Sequence, residues 1–282
     1  MLSCTESDTT EAFKMTRYGQ FIMGPAGVGK STYCKFIQTH ASVVKRSVSI
    51  INLDPAAENF GYDVAVDIRD LISVEDAMEE CKLGPNGGLL FCMEYLANNL
   101  AWLENELEQF GSDCYFLFDC PGQIELFSHV PVMKRILHFI GQACDIKMCG
   151  VYLIDALFAD DAAKFLSGTM CALSSMASLE LPHINVITKC DLVPKEQLEA
   201  FLYPEKNILL ALLNQSMTNR YAGLNEAIAS LIEEYNMVSF VAMNIEDEES
   251  VENVFSHCDF ALQYGEDLEP KEPKDMEAEE RD

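Results

Sequence analysis

Basic residues are scarce in this chain of 282 residues: 19 lysines and arginines stand against 46 aspartates and glutamates, a formal net charge of −27. Such a surface repels phosphodiester backbones and anionic lipid, which argues against direct nucleic-acid binding and against membrane binding. The adjacent basic pairs Lys45-Arg46 and Lys134-Arg135 are too isolated to form a polybasic address. Long apolar runs are missing too. The most apolar windows, around Gly168–Leu181 and Ile208–Leu213, are interrupted or short and suit buried helices rather than a bilayer span. The eleven cysteines include no C-x-x-C pair, and no histidines stand at zinc spacing, so structural disulfides and zinc sites are not expected. The first residues lack a basic stretch followed by an apolar one, which together with dispersed thiols points to a cytoplasmic protein.

What the chain does have is a globular composition, 49% apolar, and a regular alternation of strand-like and helix-like segments. Strands are expected at Tyr18–Met23, Val48–Leu53, Tyr115–Phe118, Cys149–Ile154, Ile184–Thr188 and Val238–Met243. Amphipathic stretches such as Met93–Phe110, Leu126–Cys144 and Ala159–Leu179 lie between them. That order predicts an α/β fold with a mostly parallel sheet and helices on both faces. Glu196 to Tyr235 reads as a helical insertion between the last two strands. Residues 1–14 are polar and unpatterned and read as a disordered extension, with Met15 directly before the first strand. Residues 266–282 are acidic and contain two prolines, a composition that predicts a disordered tail and leaves 15–265 as the folded domain.

From Gly24 the sequence runs Gly-Pro-Ala-Gly-Val-Gly-Lys-Ser to Ser31, matching G-x-x-x-x-G-K-[ST] between the first strand and a helix over Ser31–Ala41. Glycines let peptide N–H groups close around phosphate oxygens, and the helix N-terminus adds a favourable dipole. Gly27, Val28, Gly29, Lys30, Ser31 and Thr32 are therefore candidate nucleotide-binding residues. Lys30 would reach the β- and γ-phosphates, and the Ser31 hydroxyl would ligate magnesium. The chain is expected to bind a nucleoside triphosphate in a P-loop NTPase fold.

Asp119-Cys120-Pro121-Gly122-Gln123 follows the strand Tyr115–Phe118. An aspartate at that strand end can hold magnesium through water, the glycine N–H can meet the γ-phosphate, and Gln123 can orient the attacking water. Pro-Gly alone is an ordinary turn; one strand beyond a phosphate loop it reads as a GTPase switch. Glu125 lies close enough to join the water network. Thr188-Lys189-Cys190-Asp191 ends the strand Ile184–Thr188. Asp191 would accept from guanine N1–H and N2–H₂, donors that adenine does not present together, and the Lys189 stem would cover the base. Thr188 stands where GTPases usually carry asparagine and cannot make the same amide contacts. Asn52-Leu53-Asp54-Pro55 ends the second strand. Asp54 there either contacts the magnesium shell and polarises the water, or caps a turn. Asp67 and Arg69 fall in a segment that could sense the nucleotide.

Gly84-Pro85-Asn86, followed by Gly87-Gly88, lies between the second and third of these strands. By itself it is a turn. With the phosphate loop, D-C-P-G-Q and T-K-x-D in this order, the chain resembles the GPN-loop GTPases, whose T-K-x-D it shares, from about Met15 to Asp267. The resemblance implies a P-loop GTPase with an added helical insertion, using GTP and Mg2+ and acting as a homodimer or as a heterodimer with a paralogous GPN-loop GTPase. It implies that Asn86 of one protomer reaches the γ-phosphate held by the other, an amide donor at developing charge. It also implies a part in the assembly and nuclear import of RNA polymerase II, contact with its subunits, and cytoplasmic residence with shuttling to the nucleus. Under this reading Lys30, Asp54, Asn86 and Gln123 are catalytic, and Ser31 and Asp119 hold the metal. Two other readings stay open. A P-loop kinase would leave D-C-P-G-Q and T-K-x-D without a role, and a non-catalytic adaptor would use GTP only to stabilise an interface.

Overall fold

The computed structural model describes residues 16–194, 198, 202, 206–216, 219–234 and 239–266. Both expected disordered segments, 1–14 and nearly all of 266–282, lie outside the described residues, as do parts of the helical insertion. Among the described residues the core is one sheet of seven strands: β1 (Arg17–Met23), β2 (Val48–Asn52), β3 (Val64–Asp67), β4 (Tyr115–Asp119), β5 (Ile146–Asp155), β6 (His183–Thr188) and β7 (Phe240–Ala242). Their order across the sheet is β3-β2-β4-β1-β5-β6-β7. Every described pairing is parallel, not merely most of them. Parallel strands need crossover connections, and the helices of those crossovers cover the faces.

Alternation along the strands assigns side chains to the two faces. Phe21, Met23, Phe116, Phe118, Tyr152 and Ile154 pack beneath α3 (Pro85–Asn98), α4 (Leu100–Glu108), α6 (Val132–Gln142) and α7 (Ala162–Leu179). Ile22, Ile50, Tyr115, Leu117, Val151 and Leu153 pack against α1 (Lys30–Val43) and the last described helix, Glu248–Leu262. Between α7 and that helix come α8 (Lys206–Ser216) and α9 (Ala222–Glu234) of the insertion, so Glu248–Leu262 is α10. Cys34, Cys92, Cys114, Cys120, Cys149 and Cys258 are buried thiols, as the absence of paired spacing suggests.

Several boundaries differ from those expected of the sequence. β3 has four residues and pairs only with β2, across a register shift at Ile50 and Ile51, too short a run to show a period. The long helix expected at Met93–Phe110 is two helices, because the Asn99 amide turns back to the Tyr95 carbonyl at 2.8 Å and breaks the backbone ladder. Leu126–Cys144 is likewise divided into α5 (Glu125–Ser128) and α6, with Pro131 at the junction. The segment Gly84-Pro85-Asn86 is not a free turn. Gly84 is the N-cap of α3 and Pro85 its first residue, a position for which its fixed φ is pre-set. Gly88 then lets α3 lie against α2 (Val74–Cys81), since a Cβ there would stand 2.9 Å from the Met78 side chain.

Two polar clusters tie α1 and α10 to the sheet. The Tyr33 hydroxyl donates to Gln20 Oε1 at 2.7 Å, and Gln20 Nε2 donates to the Tyr115 hydroxyl at 2.9 Å, so these buried groups satisfy one another. Arg46, just after α1, pairs through two nitrogens with Asp259 of α10 at 2.7 and 3.0 Å. Its guanidinium also lies against the rings of Tyr264, Tyr115 and Phe255, 3.6, 4.3 and 4.4 Å from their centroids. Arg46→Ala removes both the ion pair and the stacking and strands Asp259, so a loss of about 2 kcal/mol is expected. Urea unfolding of full-length protein measures it, and an unchanged midpoint would show the cage to be energetically idle.

Candidate functional site

Three glycines shape the turn between β1 and α1. Gly24, Gly27 and Gly29 have φ of 138, 77 and 100°, conformations that L side chains rarely adopt and that turn peptide N–H groups inward. A Cβ on Gly24 would also stand 2.6 Å from the Leu153 carbonyl oxygen. α1 begins at Lys30, so its N-terminus opens directly onto the turn. The buried Lys30 ammonium donates to the carbonyls of Gly24 at 3.2 Å and Pro25 at 3.3 Å. Burial pushes its pKa down, against the opposing pull of Asp119 and Asp54.

Asp119 ends β4, beside Ile22 of β1 and Asn52 of β2 in the sheet register. Its Oδ2 accepts from the Ser31 hydroxyl at 2.8 Å and from the Tyr62 hydroxyl at 2.7 Å. Burial raises the Asp119 carboxyl above its ordinary range, while Tyr62, Ser31 and Lys30 pull it down. A hydroxyl and a carboxylate oxygen this close form a donor set that suits a hard cation such as magnesium. Gly122 approaches the turn closely: a Cβ on it would stand 2.8 Å from the Ala26 Cα. Next to it, Gln123 Oε1 is buried and accepts no hydrogen bond among the described residues.

Asp54 performs the turn role weighed for it, its Oδ1 accepting from the Ala56 N–H at 3.0 Å. It also lies within electrostatic reach of Lys30, and burial raises its pKa. Asp67 and Arg69 form a braced corner. Asp67 accepts from the Arg69 guanidinium and from Asn52 Nδ2, which also donates to the Asp54 carbonyl at 3.0 Å.

On the other side of the turn, Val28, Gly29, Thr32, Thr188, Lys189 and Asp191 line one cleft of about 270 Å³. Thr188 ends β6, and its hydroxyl donates to the Val28 carbonyl at 2.7 Å and the Ile154 carbonyl at 3.2 Å. That hydroxyl therefore fastens the turn to the sheet. Lys189, at φ 59°, donates to the Gly27 carbonyl at 2.9 Å and to Asp155 at 2.5 Å. Asp191 is exposed in the cleft. Since Val28 and Gly29 line this cleft while Lys30 and Ser31 face Asp119, one turn joins both halves of the site. Asn86 is the exception. It is exposed on the first turn of α3, and no hydrogen bond joins it to the phosphate turn among the described residues.

Sequence reasoning missed Tyr62, Asp155 and Ile245, the last also lining the cleft. Asp155 could have been found, since it ends a strand on the edge where Asn52, Asp119 and Thr188 end theirs. Tyr62 carries no such signal.

A glycine turn feeding a helix, with Ser31 hydrogen-bonded to Asp119 at the carboxyl edge of a parallel sheet, defines a P-loop nucleoside triphosphatase. The family described as "Conserved hypothetical ATP binding protein" matches residues 22–264. The GPN-loop GTPase 3 of Xenopus tropicalis is 50% identical over 269 residues, covering 93% of this chain and 94% of that protein. That of Saccharomyces cerevisiae is 44% identical over 268 residues, with 93% and 98% covered. The apo crystal structure of a GTPase from Pyrococcus abyssi shares the fold, with a TM-score of 0.72 at 21% identity over 86% of this chain and 96% of that one. This chain belongs to the GPN-loop GTPase 3 family.

The raised Asp119 carboxyl carries a stability consequence. Its charged form is disfavoured in the fold, so the cost is absent at low pH, where it is protonated folded and unfolded, and grows as pH rises past the usual carboxylate range. Asp119→Asn is expected to raise the melting temperature without nucleotide by about 2–4 °C at pH 8 and by less at pH 4. A lower melting temperature at pH 8, by calorimetry, would make Asp119 a net stabiliser.

Proposed function

We propose that this chain is a magnesium-dependent GTP hydrolase that switches conformation with its nucleotide and completes its site as a dimer. The observation that carries the reading is the convergence of Lys30, Ser31, Asp119 and Asp191 around the single turn Gly24–Gly29. Lys30 would leave its carbonyl partners for the β- and γ-phosphates, and the inward N–H groups of the turn would bind the same oxygens. Ser31 and Asp119 would hold magnesium, which neutralises charge on those phosphates. The exposed Asp191 would select guanine through its N1–H and N2–H₂ donors, while Lys189, anchored to Asp155, presents its stem to the base. Gln123 has a buried carbonyl oxygen without a donor among the described residues, which suits it to accept from and orient the attacking water. Asp54, its pKa raised by burial, is the nearby carboxylate that would polarise that water.

Asn86 supports the dimeric part of the reading. In one chain it is exposed on the first turn of α3 and has no hydrogen bond to the Gly24–Gly29 turn among the described residues, so a second protomer, identical or paralogous, would supply it. The assembly and nuclear import of RNA polymerase II, contact with its subunits, and movement between cytoplasm and nucleus rest on the family resemblance alone.

Lys30→Ala is expected to weaken GTP binding by about 100-fold or more, through loss of a buried charge on phosphate; calorimetry giving normal affinity would remove the central site. Asn86→Ala should slow single-turnover hydrolysis by about 100-fold and leave GTP affinity and dimer mass unchanged. Unaltered single-turnover rates would refute the role in trans.

A further inference from the structure

We propose that Tyr62 is a latch on Asp119, released when magnesium enters, so that the segment between β2 and β3 reports metal loading. The proposal rests on the reading of Ser31 and Asp119 as the magnesium pair. Tyr62 and Ser31 donate to the same oxygen, Asp119 Oδ2, at 2.7 and 2.8 Å. An ionised carboxylate has about two acceptor sites per oxygen, so these two donors fill Oδ2. Oδ2 is also the oxygen that faces Ser31, the hydroxyl with which a cation would be shared. Ser31 can keep its proton on Asp119 while lending a lone pair to the metal, so its bond is compatible with metal binding. The Tyr62 bond occupies the remaining site on the metal-facing oxygen and competes with it.

The contacts of Tyr62 give the latch a lever. Its ring lies 5.4 Å from that of Phe60, and the Arg69 guanidinium sits 4.6 Å over Phe60. Arg69 also donates to the Ala57 carbonyl at 2.8 Å and is braced by Asp67 and, through it, by Asn52. The far end of the segment is thereby fixed independently of Asp119. Near the other end, the hydrogen bonds among the described residues are an exposed pair between Gln38 and Asp63, both at 3.3 Å. Loss of one hydroxyl-to-carboxylate bond therefore frees Gly61 and Tyr62, between the Arg69–Phe60 contact and the exposed Gln38–Asp63 pair, without disturbing the Asp67 corner. Tyr62 touches no reacting atom; it is a positioning residue acting through Asp119.

Tyr62→Phe keeps the ring and deletes the hydroxyl. With full-length protein loaded with a non-hydrolysable GTP analogue, magnesium chloride is titrated by calorimetry, and hydrogen exchange is followed in the peptide covering 56–63. Wild type is expected to show faster exchange there once magnesium is added. Tyr62→Phe should exchange fast with or without the metal and bind magnesium roughly ten-fold more tightly, since a charge-assisted competitor is gone. Equal or weaker magnesium affinity in Tyr62→Phe, or exchange in wild type that ignores magnesium, overturns the latch. Failure of wild type itself to bind magnesium strikes instead at the Ser31–Asp119 reading and takes the latch with it. A Tyr62→Phe protein with a lowered melting temperature is judged by Tyr62→Trp, which also lacks the hydroxyl and must show the same metal-independent exchange.

Discussion

A side chain at position 24 would stand 2.6 Å from the carbonyl oxygen of Leu153, and one at position 122 would stand 2.8 Å from the Cα of Ala26. The Gly24–Gly29 turn is thus clamped between the end of β5 and the segment that follows β4, with no room for a Cβ on either side. Everything else in the site is measured from that clamp. Thr188 adds a third fastening through the Val28 carbonyl, and Lys189 a fourth through Gly27. A turn held this way presents its peptide N–H groups in one arrangement before any ligand arrives, and preorganised dipoles of this kind cost no reorganisation during reaction.

The same enclosure acts on charge. Lys30, Asp54 and Asp119 are all shifted by burial against their charged forms. Each would be easier to accommodate as a neutral side chain, and together they stand next to the turn whose N–H groups and helix dipole favour an anion. Such strain against ionisation clusters where function requires charge. The far end of the sheet follows the opposite rule. There Gln20, Tyr33 and Tyr115 satisfy one another, and Arg46 is matched by Asp259 and three rings. One end holds α1 and α10 in place, and the other gathers buried groups whose charged forms burial disfavours.

The segment from Asp54 to Asp67 is braced at one end by Asn52 and Arg69 and touches Asp119 through a single hydroxyl. The start of α3 is different again: Pro85 and the N-cap Gly84 fix its helical geometry, so Asn86 stands on a rigid helix rather than on a loose turn.

The α/β class, the strand that precedes the phosphate turn and the residues of that turn were legible in the chain because each leaves a local mark. Parallel strands buried on both faces are continuous apolar runs, and a φ near 100° demands glycine. The family resemblance was legible for the same reason, since its four motifs are contiguous. Tertiary structure alone decided the rest. β3 is too short to show a period and exists because β2 offers it an edge. Asn99 and Pro131 divide helices that apolar spacing runs together, through a side-chain hydrogen bond in one case and a missing N–H in the other. Thr188 carries the motif position of a base-reading residue, yet its hydroxyl is taken by carbonyls 160 and 34 positions away. Tyr62 meets Asp119 across 57 residues, and no spacing rule could join them. Local conformational preference is written in neighbouring residues, whereas the pairing of distant polar groups is set by the order in which the strands assemble.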